Sequence, residues 1–592
     1  MKQRKFIISM LFIYTAAVAL YLAWIILPRD ERQESPSLSV LNSSVVQASP
    51  SDSIDAAQVE KNVALPHFEL SQRCAICHDF SERSNSQRDQ QGNSVASYNL
   101  WQSSMMAQSS KDPYWRAVLS AEVANTPSQK SHIEDVCTRC HTPMATPFPP
   151  SPPGEVLSLL NRAGRQSELG LDGVSCTVCH QISDTNLGSS ESFTGNFEIN
   201  TESKIFGPHV DPVTGPMRNQ VGFTPMHSPH IMKSALCATC HTVVTEAVTA
   251  DGQPTGQFFH EQSPYLEWRN SIFNDEIDQP AQEAQSCQSC HMPTVGDDGN
   301  LIKTMLAHNP GGRDFPFLNP REPFGRHTLV GGNALMTRIL RDNAKELGID
   351  VARDAFDASL VQIEKMLRHQ TATIEIGDIN QVGNHLHIPI SVTNLSGHKF
   401  PTAYPSRRSW IHLRVYDQDN NLMFVSGAYN DQGELVDQAE NVLPSENLTG
   451  EILPHFQQIE CSQQVQIYES LMGDIEGKPT FYLLQGASFL KDNRLLPTGW
   501  SFEHTDAEAT MPVGVENDLD FIGGGDQLTY IVPKTSAGPF RIEASLLFQT
   551  ISARHAVELF SNDTPEVVRF KAMYEAANRR PELIATQSVT IE

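Results

Sequence analysis

"SALCATCHTVV", residues 234–244, sets Cys237 and Cys240 two residues apart with His241 directly behind them. The same CxxCH form recurs at Cys74, Cys77 and His78, at Cys137, Cys140 and His141, at Cys176, Cys179 and His180, and at Cys287, Cys290 and His291. Ten of the eleven cysteines are spent this way, far beyond chance for so rare a residue. Two thiols about one helical turn apart can form thioethers to the two vinyl groups of a haem, and the following imidazole then reaches the iron as proximal ligand. Structural zinc wants four ligands and would pair such motifs, whereas five is odd and zinc gives no reason for a histidine after each. Disulfides leave the histidines equally unexplained. The pattern therefore predicts five covalently attached haem c groups.

Working outward, residues 61 to 330 are broken by Pro and Gly, as in "TPFPPSPPGE" and "HNPGGRDF". Side chains alone make a sparse core there, and five macrocycles would fill it. Beyond Ala334 the texture changes: Phe356, Leu360, Ile363 and Leu367 recur at helical spacing, so a helical hairpin over about 334–369 is expected to close the first domain. After it, "HLHIPISVT" puts Leu386, Ile388, Ile390 and Val392 on one face, and "SWIHLRVYD" and "FRIEASLLFQT" alternate likewise. The expected fold is α+β and multidomain: a loop-rich, mainly α pentahaem domain at 61–370, then an all-β sandwich at 371–592. Cys461, alone among strand residues, is expected to be a buried structural thiol.

The N-terminus carries Lys2, Arg4 and Lys5 before an uncharged run from Phe6 to Leu27. That run is long enough for a membrane helix, which takes about 20 residues, and too long for the usual secretory signal. An uncleaved anchor over 1–28 follows, with a Ser- and Pro-rich tether at 29–60 and the bulk of the chain in the periplasm. Haem attachment outside the cytoplasm agrees with that placement. The net charge of -26, from 69 acidic and 43 basic residues, argues against nucleic acid as a partner.

Each iron has a sixth position whose occupant sets potential and reactivity. His132, and the pair His227 and His230, lie shortly upstream of a CxxCH, and His67 does so before Cys74. His327 sits in "GRHTLVGGNALM" beside two glycines that allow close backbone approach to a flat ring, and His398 in "NLSGHKFPTAYPSRR" interrupts a strand pattern. Met106 in "WQSSMMAQS" is a further candidate, since a methionine ligand would raise that haem's potential. Helix capping is expected for His369, and strand-face positions for His385, His387 and His412.

The segments "LWQSSMMAQSSKDPYWRA", "DGVSCTVCH", "PYLEWRNSIF", "SCQSCHMP" and "RHTLVGGNAL" resemble the multihaem c-type cytochromes related to the tetrahaem cytochrome of nitrifying bacteria. The resemblance spans roughly residues 70 to 345, and "GHKFPTAYPSRRSW" resembles a β domain attached to such haem domains. It implies closely stacked haems with mostly two histidine ligands, and hence distal roles for His327, for one of His227 and His230, and for His398. Related chains often have His where Met106 stands, a departure that bears on one haem's ligation.

The function expected is electron transfer by a membrane-anchored periplasmic pentahaem cytochrome, between a quinol-linked membrane donor and a soluble or outer-membrane acceptor. The alternative is an oxidoreductase acting on a small nitrogen or sulfur compound at one open haem, with Arg407, Arg408 and Tyr265 as pocket residues. No separate catalytic acid, base or nucleophile motif stands out.

Overall fold

Each CxxCH motif rides on its own short helix: α1 (Ser71–His78), α3 (Lys130–His141), α4 (Cys176–Cys179), α5 (Ser234–His241) and α7 (Cys287–His291). One turn of helix brings both cysteines of a motif to the same face. Between them lie α2 (Pro113–Asn125) and α6 (Pro264–Arg269). Helix α2 starts where Pro113 is tolerated at the first position and the Asp112 carboxylate accepts from Tyr114 N at 2.9 Å. The computed structural model describes residues 67–145, 160–161 and 163–592. The expected anchor and tether over 1–60 lie outside these residues, and among the described ones no helix is long and apolar enough to cross a membrane.

The haem region is less purely helical than its sequence suggests. Directly after α5 the β-branched run "VVTEAV" forms β1 (Val243–Val248), which pairs antiparallel with β2 (Pro254–Gln262). A second, parallel pair joins Lys204–Gly207 to Thr224–His227.

The expected helical hairpin is present as α8 (Ala334–Asp342) and α9 (Arg353–Gln370). Phe356, Ile363 and Leu367 of α9 are buried, Phe356 in a small cluster with Leu340 and Ile349, and Leu360 packs partly buried against the core that holds Ile363 and Leu367.

The C-terminal part is built on two sheets. In one, a short strand at Gln458–Ile459 is followed by β9 (Gly525–Pro533), β4 (His385–Asn394) and β3 (Ala372–Ile376). In the other, β7 (Ile467–Gly473), β5 (Arg408–Tyr416), β10 (Phe540–Gln549) and β11 (Glu582–Ile591) lie side by side, with β6 (Leu422–Ser426) on β5 and β8 (Ser488–Asp492) on β7. Leu386, Ile388 and Ile390 from the first sheet and Ile411, Leu413 and Val415 from the second are all 0 % exposed and share one core. The period-2 alternation sends these residues inward and their neighbours outward.

The segment 371–592 is not all β. Helices α10 (Ala553–Leu559) and α11 (Pro565–Ala576) leave the sheets and pack on α2 of the haem region. Their start is legible in retrospect: Thr564 Oγ1 accepts from Val567 N, Pro565 stands first in the helix, and Val567, Phe570, Met573 and Tyr574 form its buried stripe. Cys461, expected to be buried, is exposed in a turn beyond the short Gln458–Ile459 strand. Ala64–Glu592 form one compact unit.

Candidate functional site

The five motif helices converge on one connected cavity of about 1790 Å³, whose wall includes all ten motif cysteines and all five motif histidines. A site for one small ligand usually takes about 300–1,000 Å³, so this space is built for several groups or one very large one.

The chain orients four of the five motif imidazoles through Nδ1. Nδ1 of His78 lies 3.0 Å from the Leu306 carbonyl, that of His180 lies 2.7 Å from Phe206 O, and that of His291 lies 2.6 Å from Val330 O. His141 Nδ1 makes a longer contact of 3.5 Å to Ser109 O, and its ring stacks on Trp115 at 4.7 Å. A carbonyl can only accept, so Nδ1 carries the proton and the Nε2 lone pair is left for a metal. Burial holds these rings neutral, pushing His78 and His141 down to about 4.

Two motif histidines face a second imidazole. The ring centres of His180 and His327 are 6.3 Å apart with planes 20° from parallel, and those of His291 and His398 are 6.3 Å apart with planes 11° from parallel. Two imidazoles bound through Nε2 on opposite sides of one metal, with bonds of about 2.0 Å, have ring centres about 6 Å apart. His327 and His398 are also tethered at Nδ1, by Gly325 O at 3.0 Å and Lys399 O at 2.9 Å. Among the described residues, His78, His141 and His241 face no second imidazole this closely.

Thiols of different motifs meet as well. Cys74 neighbours Cys176, Cys140 neighbours Cys240, and Cys237 neighbours Cys287, and in each pair the nearby thiol and burial together push the first cysteine up. The motif on α5 thus touches both the α3 and α7 motifs.

The other candidates separate by position. His132 and Met106 line the cavity, whereas His67, His227 and His230 do not. His67 stacks on Phe223 at 4.4 Å, and His227 is exposed. Both ring nitrogens of His230 are engaged, Nδ1 with Ser228 Oγ at 2.6 Å and Nε2 with Ile182 O at 2.9 Å, so neither is left for a metal. His209 and His369 line the cavity, although the sequence singled out neither as a ligand. The signal for His369 was its place one helical turn after Lys365 and Met366, which also face the cavity from α9. Of the proposed pocket residues, Arg407 and Tyr265 line the wall, and Tyr265 donates to Glu276 at 2.9 Å. Arg408 instead forms a buried ion pair with Glu446 at 2.6 Å.

His398 is carried into the site by a seam of buried charge. Glu267 on α6 accepts from Lys399 N at 3.0 Å and pairs with Arg494 at 3.2 Å. Arg494 and Lys399 both bond Asp492 at 2.7 Å. Two positive and two negative side chains, each at most 6 % exposed, thereby join the haem region to the sheets.

Beside Cys137 lies a second polar group on the cavity wall. Burial pushes Glu122 up to about 8 and Glu261 up to about 7. Glu122 Oε2 and Tyr404 Oη are buried without a hydrogen-bond partner, as are Trp115 Nε1 and Arg326 Nε, which also line the cavity. Unpaired polar atoms on an otherwise apolar wall, with cysteines spaced for thioethers and Nε2 atoms free, fit the donor set of haem c with its propionates.

The family model described as "Cytochrome c554 and c-prime" matches residues 73–181, a span with three of the five motifs. Among solved structures, a penta-heme cytochrome c552 from Thermochromatium tepidum is similar at 14 % identity, covering 88 % of this chain and 99 % of that one, with a TM-score of 0.47. No curated protein matches the chain. The family match agrees with the motifs in supporting a multihaem c-type cytochrome that binds haem c.

Proposed function

We propose that the chain is a pentahaem electron carrier, tethered to the cytoplasmic membrane by the Phe6–Leu27 run with its bulk in the periplasm. A quinol-linked membrane protein would be the donor, and a soluble or outer-membrane redox protein the acceptor. When bound, haem c supplies one-electron redox chemistry at its iron. The chain's part is to hold, orient and insulate.

The observation that carries the reading is the pairing of His180 with His327 and of His291 with His398 at 6.3 Å. An iron held between two imidazoles has no vacancy for a substrate, which suits passage of electrons rather than bond chemistry. His327 and His398 are thus assigned as distal ligands, and the five CxxCH histidines as proximal ones. The neighbouring of thiols from different motifs supports a route with close steps between the α1 and α4 motifs and from α5 to both α3 and α7, so that α5 would be the junction.

A second reading is favoured by Glu122 Oε2 and Tyr404 Oη, buried and unpartnered on the wall. Such groups could donate protons to a small nitrogen or sulfur compound at one open haem.

One experiment tests both. The protein is purified from a host able to attach haem, its haems are counted by mass, and EPR of the oxidised form is recorded at low temperature. Five haems with only low-spin signals are expected for the carrier. A high-spin signal of about one haem per chain would select the second reading, with hydroxylamine, nitrite and tetrathionate then tried as substrates. Fewer than five haems would overturn the pentahaem assignment.

A further inference from the structure

Away from the cavity, a buried acidic cluster lies where β9 begins. Asp526 on β9, Asp518 in the preceding loop and His455 bring two carboxylate oxygens and a ring nitrogen within 4.8 Å of one another. The side chains of Asp526, Asp518 and His455 are 0 %, 3 % and 2 % exposed. Asp520, itself exposed, adjoins them at the solvent side, its backbone N–H donating to Asp518 Oδ1 at 3.1 Å.

The hydrogen bonds show how the ring is held. His455 Nδ1 lies 2.7 Å from Gln466 Nε2 and 3.1 Å from Asn493 Nδ2. Neither amide can flip without loss: Gln466 Oε1 accepts from Phe456 N at 2.8 Å, while Asn493 Oδ1 accepts from Glu469 N at 3.1 Å and its Nδ2 donates to Ile467 O at 2.8 Å. Two donors therefore point at Nδ1, which must accept. The ring's proton sits on Nε2 and is donated to Asp518 Oδ2 at 2.8 Å. Against the burial that opposes a charged ring, the two carboxylates push His455 up from its ordinary value, while the amides aimed at Nδ1 resist a second ring proton.

Asp526 Oδ2 accepts from Tyr468 at 2.7 Å and from Gln466 Nε2 at 3.3 Å, while its buried Oδ1 has no hydrogen-bond partner and lies 3.6 Å from His455 Nε2. Among the described residues no Lys or Arg pairs with Asp518, Asp520 or Asp526. Crowded, buried like charges with an orphaned oxygen are strongly unfavourable unless a cation joins them.

We propose that Asp518, Asp520 and Asp526 bind a hard divalent cation of the calcium class, with His455 as a hydrogen-bonding neighbour and not a ligand. Calcium takes oxygen ligands at about 2.3–2.6 Å, so two oxygens on opposite sides of it are about 4.8 Å apart. Zinc would seek the imidazole, whose free nitrogen is already protonated. The cation would pin the loop that carries Asp518 and Asp520 to β9.

The test uses the full-length, haem-loaded protein stripped with EDTA, then titrated with calcium, magnesium and zinc salts in a calorimeter and in thermal melts. One calcium per chain and a calcium-dependent rise in Tm of at least about 2 °C are expected. Asp526→Asn should abolish both while the haem absorption spectrum stays unchanged. Should that variant fail to fold, the more exposed Asp520→Asn should weaken calcium binding at least about tenfold. The proposal is overturned if the wild type neither binds calcium nor shifts, if the variants that fold bind it as well as the wild type does, or if zinc alone binds stoichiometrically.

Discussion

His398 shows how the fold brings one distant side chain to the cavity. Its Nδ1 is held by Lys399 O at 2.9 Å, its ring faces that of His291, and a histidine in a strand-rich stretch thereby reaches a haem motif more than a hundred residues earlier. His398→Met should leave the thioethers intact but exchange an imidazole for a thioether sulfur, which raises a haem's potential. A potentiometric titration is expected to show one of the five midpoints shifted upward. An unchanged titration would mean that His398 ligates no iron. In contrast, His227 and His230 were equally good candidates by sequence. Only their surroundings, solvent for one and two hydrogen-bond partners for the other, separate them from His398.

Among the elements, α10 and α11 are the ones that tie the C-terminal segment to α2. Tyr114 on α2 meets His555 Nε2 at 2.9 Å, and Phe570 on α11 is 0 % exposed against the same tyrosine. Burial drops His555 to about 3 from an ordinary 6.5. The folded state therefore takes up a proton less readily than the unfolded chain. Stability from this site is complete above pH 6.5 and is lost as pH falls toward 3, by about 1.4 kcal/mol per unit. Thermal melts from pH 7 to 5 should show a loss of about 2 kcal/mol that His555→Gln, which cannot titrate, largely removes. An equally steep fall in the variant would place the loss elsewhere. Strand β4 was legible because it buries one face, which forces a period of two on the sequence, and β5 and β10 were legible where they alternate, over Ile411–Tyr416 and Phe540–Glu543. Helices α10 and α11 were missed because their apolar stripe reads clearly only once α2 is known to cover it.

For the molecule as a whole, the seam of Glu267, Lys399, Asp492 and Arg494 decides whether the sheets can deliver His398. Each of its charges is compensated only by the others, so removing one leaves a buried charge unpaired, at a cost of about 3–5 kcal/mol. Glu267→Gln keeps the shape and removes the charge. It should destabilise the protein on that scale in denaturant melts and convert about one haem from low-spin to high-spin in EPR. Loss of stability with all haems low-spin would make the seam structural alone. The motifs, by themselves, predicted the chemistry: the thioethers and proximal ligation expected of CxxCH need only neighbours within one helical turn, and such neighbours are written consecutively in the chain. The alternating strands were specified in the same local way. The facing of His327 and His398 toward motif histidines, the nearness of thiols from different motifs, the orphaned Asp526 oxygen and the charged seam were decided only by the tertiary structure. Each joins residues far apart in sequence, and a position's neighbours across the fold leave no periodic mark on the chain that carries it.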